Sequence, residues 1–224
     1  MKIGILFPAY NESKNIGSVI KEAKKYFRNS EIVVVDDGST DNTYSIAKSL
    51  GAIVLRHDTN KGKGEALKTG MNFLRNRKIE YVLIADADRQ YSLNDAFKIL
   101  NKLTKGFDVV TGFRLPKEIP YANRMGNFIW RKIFNFLFNT KFYDTNCGFM
   151  AFRKSILPKI INIHGGYIVE NSILINCVKN NLKVGQVKVS VRYGKRKISK
   201  FARMFFGVLF YIISEGMKYK LKKL

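Results

Sequence analysis

The sequence predicts an α/β protein with a mainly parallel central sheet flanked by helices. Three observations carry that expectation. Short β-prone runs alternate with helical segments of roughly 10 to 15 residues as far as residue 112, the pattern of linked βαβ units. Runs such as Ile32-Val33-Val34-Val35 and Tyr81-Val82-Leu83-Ile84-Ala85 are apolar without alternation, as strands covered on both faces are. Three of the runs also stop at polar and acidic clusters, which a parallel sheet gathers along one edge.

In chain order, a strand is expected over 2–7, a helix over 13–27 and a strand over 31–36. A helix over 41–50 follows, with Ser39, Thr40 or Asp41 as its cap, and then a strand over 52–56. A helix over 64–75, a strand over 81–85, a helix over 94–103 and a strand over 108–112 continue the series. The first strand offers only about five apolar residues before Pro8, too few for a secretory signal core. Cys147 and Cys177 are too few and too far apart for a disulfide framework or a zinc site, so both read as core residues in a reducing cytosol. A chain of 224 residues with four prolines and no internal repeat suits one domain, or a domain with an appended module, and no obvious hinge.

Charge separates the two halves. Lys and Arg number 40 against 17 Asp and Glu, a net charge of +23. Residues 1–112 hold 18 basic and 13 acidic residues, whereas 113–224 hold 22 and 4. Such a field attracts phosphate-rich partners, either a nucleic-acid backbone or an anionic bilayer. Two stretches of the second half are also strongly apolar. Over 122–142, Phe128, Ile129, Trp130, Ile133, Phe134, Phe136, Leu137 and Phe138 stand among Arg124, Arg131, Lys132 and Lys141. Over 201–217, the run from Met204 to Ile213 is uninterrupted, yet shorter than the ~20 residues needed to span a bilayer. As a helix it keeps one narrow polar stripe of Lys200, Arg203, Gly207, Ser214, Lys218 and Lys222, completed by Tyr211. Basic clusters at both ends suit a helix lying among anionic headgroups; the other reading is a core or dimer helix with a solubilising tail.

The chemistry concentrates at the strand ends. Asp86-Ala87-Asp88, followed by Gln90, places two hard oxygen donors one residue apart, a pairing that suits Mg²⁺ or Mn²⁺ shared with substrate phosphates. Standing alone, such a pair is more often a solvated turn. Here it has company in Pro8-Ala9-Tyr10-Asn11-Glu12 and Asp36-Asp37-Gly38-Ser39. Glu12 and Asp37 can accept hydrogen bonds from ribose hydroxyls or a base N–H, while Gly38 lets the backbone approach a ligand. Asn60-Lys61-Gly62-Lys63-Gly64 is a glycine-rich loop entering a helix, which offers N–H groups and lysines to an anion without the spacing of a P-loop or dinucleotide fingerprint.

These motifs, with Gly112-Phe113-Arg114 and Asp144-Thr145-Asn146-Cys147-Gly148-Phe149, occur in the order of a known family and span almost the whole chain. The chain resembles the family 2 glycosyltransferases of GT-A, Rossmann-like fold, in the branch that makes dolichyl-phosphate or polyprenyl-phosphate hexoses. The resemblance implies a nucleotide-sugar set of Pro8, Tyr10, Glu12, Asp37 and Asp86, which Gly38 and Lys61 join on the reading above. It implies a metal set of Asp86, Asp88 and Gln90, and places Glu170 near the donor sugar or acceptor. Asp88, Arg114 and Glu170 are the expected catalytic residues. The expected boundaries are a glycosyltransferase domain over 1–198, divided at 112 into donor and acceptor halves, and a basic amphipathic helix over 199–224.

Departure of a nucleoside diphosphate builds negative charge that a divalent cation stabilises, and in-line attack inverts the anomeric carbon. A phosphate monoester acceptor, with its second pKa at about 6, attacks without a general base once cations position it. Arg114, Arg124, Arg131 and Lys200 are the candidate cations, arginine's planar fork being suited to phosphate. A hydroxyl acceptor on a soluble molecule or glycan is the alternative, and would need Glu170 or Asp144 as base. A basic nucleic-acid module is a third reading, opposed by carboxylates at three strand ends that repel a phosphodiester backbone. The expected partners are therefore a nucleotide sugar, a polyprenyl phosphate and an anionic membrane surface at the cytoplasmic face, with no nucleic acid. Many members of the family continue into transmembrane helices, whereas this chain ends at Leu224, which implies peripheral attachment or a separate membrane-anchor subunit. The Asp144–Phe149 motif looks closer to the glucosyl than the mannosyl branch and favours a UDP-sugar, with GDP-mannose left open. Lys197 stands where a glycine is common. His57 and His164 read as structural or surface residues, and Gly165-Gly166 as a loop beside the site that can cover the donor sugar.

Overall fold

The computed structural model describes residues 1–192 and 201–222; Lys200 and the basic run 195–197 lie outside the described residues. Among these, β1 (Ile3–Ala9), β2 (Glu31–Asp36), β3 (Ile53–Arg56), β4 (Tyr81–Ile84), β5 (Val109–Phe113), β6 (Met150–Arg153) and β7 (Val184–Lys188) form one seven-stranded sheet in the order β3-β2-β1-β4-β6-β5-β7. The α-helices are α1 (Ile16–Tyr26), α2 (Thr43–Ser49), α3 (Lys63–Arg75), α4 (Ala96–Thr104), α5 (Tyr121–Phe138), α6 (Leu157–Ile160), α7 (Val169–Lys179) and α8 (Phe201–Leu221).

Because strand side chains alternate in direction, an unbroken apolar run feeds two cores at once. Ile5 and Phe7 of β1, Val34 of β2 and Leu83 of β4 join Ile16, Ile20, Ala47 and Ile99 on one face. Leu6, Val33, Val35, Val82 and Ile84 join Leu67, Met71, Leu74, Leu157 and Ile173 on the other. Each such side chain, fully buried, contributes about 1.5–3 kcal/mol.

The strands and helices expected up to residue 112 are present with ends shifted by a few residues. The topology beyond them differs from a simple parallel series. β1 pairs in parallel with β2 and β4, β2 with β3, and β5 with β7, but β6 lies between β4 and β5 and runs antiparallel to both. Its sequence, Met150-Ala151-Phe152-Arg153, has no β-branched residue to mark it as a strand, yet its pairing of Met150 with Ile84 brings the chain preceding it to the carboxyl end of β4. That insertion carries part of the second half of the chain to the acidic strand ends.

A third core forms where Trp130, Phe134 and Phe138 of α5 meet Leu174 and Ile175 of α7 and Val208 and Ile212 of α8. The Trp130 indole N–H donates to the Phe205 carbonyl at 3.2 Å, and Glu215 pairs with Lys179 and Lys218. Tyr211, which completes the narrow polar stripe by spacing, faces the body and donates to Ser172 Oγ at 3.1 Å. The outward stripe is apolar: Phe206, Phe210, Ile213, Met217 and Leu221 are all exposed, Phe210 to 76%. No helix among the described residues is long and apolar enough to cross a membrane.

Candidate active site

The carboxyl ends of β1 and β2 are laced together before any ligand is considered. Asn11, in the left-handed region at φ 53°, accepts from the Thr40 N–H, and its own N–H donates to Ser39 Oγ at 2.9 Å. The Glu12 N–H donates to Thr43 Oγ1, and Asp41 accepts from the N–H groups of Ser13 and Thr43. Asp41 is thus a clasp between the two loops, whereas α2 starts at Thr43 with no side-chain cap. Burial opposes its charge, yet the hydrogen bonds from Thr43 and Ser13 outweigh it and hold the carboxyl at about 2.

Asp37 is buried, and its carboxylate serves the chain itself. It accepts from the N–H groups of Lys61 at 3.0 Å and Gly62 at 2.7 Å, and from His57 Nδ1 at 2.6 Å. His57 also meets Thr69 Oγ1 at 2.9 Å, so it props the carboxylate that shapes the glycine-rich loop. Gly38 was expected to admit a ligand; the close approach it permits is internal. A Cβ there would stand 2.5 Å from the Thr59 carbonyl carbon, and its φ of +72° disfavours any other residue.

Pro8, Tyr10, Glu12, Asp37, Asn60, Gly62, Lys63, Asp86 and Asp88 line one pocket of about 300 Å³ at this edge. Lys61, the expected anion contact, is exposed and absent from that wall; its contribution is its N–H. Gly62, at φ 90°, reverses the chain so that the first residue of α3, Lys63, enters the pocket instead. Lys63 Nζ lies 2.6 Å from Asp86 Oδ1 and 2.8 Å from Glu170 Oε1, Glu170 being in the first turn of α7. Burial works against the ammonium, but Asp86 and Glu170 overcome it and hold Lys63 protonated well above the usual lysine range. Asp88 Oδ1 accepts from the Gln90 N–H at 3.1 Å across Arg89, which adopts φ 63°.

The second half supplies the opposite wall. Arg114, just past β5, was expected to face an acceptor phosphate; its guanidinium is instead buried against Asp144. Nε donates to Asp144 Oδ2 at 2.7 Å, and Nη2 to Asp144 Oδ1 at 3.1 Å and to the Asn146 carbonyl at 2.8 Å. Arg114 still borders two further pockets. One, of about 230 Å³, also holds Lys63, Asn127, Trp130, Asn146, Gly166, Tyr167 and Glu170. The other, of about 290 Å³, is mainly apolar, with Ile119, Tyr121, Met125, Phe128 and Tyr143 around Arg124 and Arg131. Arg124 donates to the Ile119 carbonyl at 3.3 Å, while its buried Nε has no partner among the described residues. Arg131 Nη1 reaches the Tyr143 carbonyl at 3.4 Å. His164 is exposed, and its ring lies tilted at 57° to that of Tyr211 with centroids 5.2 Å apart.

Residues 5–161 match the family model described as glycosyl transferase family 2. The chain belongs to that family. Among curated relatives, this glycosyltransferase is 34% identical over 225 residues to an uncharacterized protein of Methanocaldococcus jannaschii, covering 96% of this chain and 92% of that one. It is 28% identical over 232 residues to the UDP-N-acetylglucosamine–dolichyl-phosphate N-acetylglucosaminyltransferase of Methanococcus voltae, covering 92% and 91%. Among solved structures, glucosyl-3-phosphoglycerate synthase from Mycobacterium tuberculosis, in complex with Mn²⁺, uridine diphosphate and phosphoglyceric acid, superposes with a TM-score of 0.79 at 23% identity, covering 96% and 78%. The fold of the glycosyltransferase is GT-A.

The residues present fit a divalent cation of one kind. Among the described residues no group of three or more His, Cys, Asp or Glu side chains is placed to hold a metal by itself. Asp86 and Asp88, on one pocket wall, offer two oxygen donors and leave the rest of the shell to a diphosphate, as Mg²⁺ and Mn²⁺ accept. Sequence reasoning offered the lysines of the glycine-rich loop to an anion but singled out Lys61 rather than Lys63, and it missed the propping role of His57. The Lys63 signal was present, a lysine opening a helix after a glycine; the His57 signal was not, since its partners lie 20 and 12 residues away.

Proposed function

We propose that this glycosyltransferase moves a hexose, with inversion, from a nucleotide sugar to a dolichyl or polyprenyl phosphate at a membrane surface. The observation that carries the reading is that the three pockets adjoin one another. The carboxylate-lined pocket shares Lys63 with the middle one, and the middle one shares Arg114 with the apolar pocket. A donor diphosphate at Asp86 and Asp88 then has its sugar near Glu170 and Asn146, with an acceptor entering from the arginine-bearing apolar side. A bound Mg²⁺ or Mn²⁺, held by Asp86 and Asp88 with Gln90 nearby, supplies Lewis-acid stabilisation of the departing diphosphate.

The protein's own groups account for the rest. Arg124, whose buried Nε has no partner among the described residues, and Arg131 are cations lining an apolar pocket, an arrangement suited to a phosphate with an isoprenoid tail. A phosphate acceptor dispenses with a general base, and the site offers a poor one: Asp144 is locked in the Arg114 fork and Glu170 is paired to Lys63. The exposed apolar stripe of α8, with Lys218, Lys220 and Lys222 beside it, suits shallow burial among anionic headgroups at the cytoplasmic face, with or without a separate anchor subunit. The likeness to the UDP-N-acetylglucosamine–dolichyl-phosphate N-acetylglucosaminyltransferase of Methanococcus voltae supports the same acceptor class and a UDP-sugar donor.

The test is incubation with dolichyl phosphate, Mg²⁺ or Mn²⁺ and, in separate reactions, labelled UDP-glucose, UDP-N-acetylglucosamine and GDP-mannose. Label should pass into the organic phase with one donor and stop when the metal is chelated. No lipid-extractable label from any donor would reject the proposal.

A further inference from the structure

We propose that Lys63 is a tethered counter-cation that yields Asp86 to the metal only when a diphosphate arrives, coupling metal and donor binding. The inference rests on the reading of Asp86 and Asp88 as a metal-diphosphate site. Lys63 Nζ bridges Asp86 Oδ1 at 2.6 Å and Glu170 Oε1 at 2.8 Å. The three charged groups converge over a position without a side chain: a Cβ on Gly148 would stand 2.7 Å from Asp86 Oδ2, 3.1 Å from Lys63 Nζ and 3.3 Å from Glu170 Oε1. Two carboxylates from distant segments meet there, and the ammonium between them removes their mutual repulsion.

A metal ion and Lys63 compete for the same carboxylate. An ion arriving alone must displace the ammonium from Asp86 or sit beside it, and two cations a few ångströms apart repel strongly in a partly buried site. A diphosphate changes both sides of that competition. It completes the oxygen shell of the ion and gives the ammonium a new anion. Lys63 borders the pocket of Asp88 and Glu12 as well as that of Glu170 and Arg114. Its flexible four-carbon stem can therefore turn from one anion to another without moving the backbone. Linkage requires the effect to be mutual: nucleotide tightens metal binding by the factor by which metal tightens nucleotide binding.

The experiment is Mn²⁺ binding followed by electron paramagnetic resonance, alone and with saturating UDP or, separately, GDP, on the wild-type chain and Lys63→Gln. In the wild type, the fitting nucleotide should tighten Mn²⁺ binding by ~5–150-fold, the usual range of coupled sites. In Lys63→Gln, Mn²⁺ alone should bind about tenfold more tightly than to wild type, and the nucleotide should add much less. A merely structural lysine would not strengthen metal binding when removed. Lys63→Gln binding Mn²⁺ no better than wild type, or an equal nucleotide effect in both, overturns the role of Lys63 and leaves the metal site standing. Absence of coupling in the wild type overturns it without any variant. Absence of Mn²⁺-nucleotide binding altogether removes the metal-diphosphate reading as well.

Discussion

Asp88 and Arg124 stand in different pockets, which makes a division of labour measurable at single residues. Asp88→Ala should abolish metal-dependent binding of the nucleotide sugar, read by calorimetry, while Arg124→Ala leaves it nearly intact and raises KM for the lipid phosphate. Equal loss of donor binding in both contradicts the division. Arg114 borders the Arg124 pocket, but its guanidinium is held by Asp144: the two are buried together, so Arg114→Ala strands an anion in the core and should cost about 3–5 kcal/mol in denaturant unfolding. Cys147 and Cys177 are both buried, and burial pushes the Cys147 thiol up to about 12 against the opposing pull of Arg114. A thiol reagent at pH 8 should label neither in the folded protein and both after unfolding. The carboxylates at the strand ends were legible in the sequence because an apolar run that stops at an acid marks its own geometry. What Asp37 and Arg114 bond to was not, because their partners come from segments 20 to 32 residues away and only folding brings them together.

Helices α5 and α8 pack together through Trp130, Phe134, Val208 and Ile212. Ile212 is fully buried whereas Phe210, two residues earlier, is 76% exposed. Ile212→Ala should therefore destabilise by about 2–5 kcal/mol. Phe210→Ser should leave stability nearly unchanged and weaken sedimentation with anionic vesicles. A reversed pattern would mean that the outward stripe of α8 is packed against protein. The strand β6 shows where pattern reading ends. Met150-Ala151-Phe152-Arg153 has none of the β-branched residues that announce β3 and β4, and an antiparallel insertion between β4 and β5 is a tertiary choice that no local signal encodes. Elements up to residue 112 were readable because each strand has two cores to fill and so is apolar along its length.

Across the whole molecule, the acidic edge of the sheet and the basic, apolar half face one another along a chain of pockets joined by Lys63 and Arg114. The first half, with 13 acidic residues against 18 basic, supplies the carboxylates; the second, with 4 against 22, carries most of the positive charge, which suits the proposed lipid-phosphate acceptor. The account stands on the acceptor being a phosphate that needs cations and no base. Its most direct measurement is initial transfer rate with dolichyl phosphate and with dolichol, in identical vesicles and with the same donor. Transfer to dolichyl phosphate with none to dolichol is the predicted result, and comparable transfer to the free alcohol would contradict it.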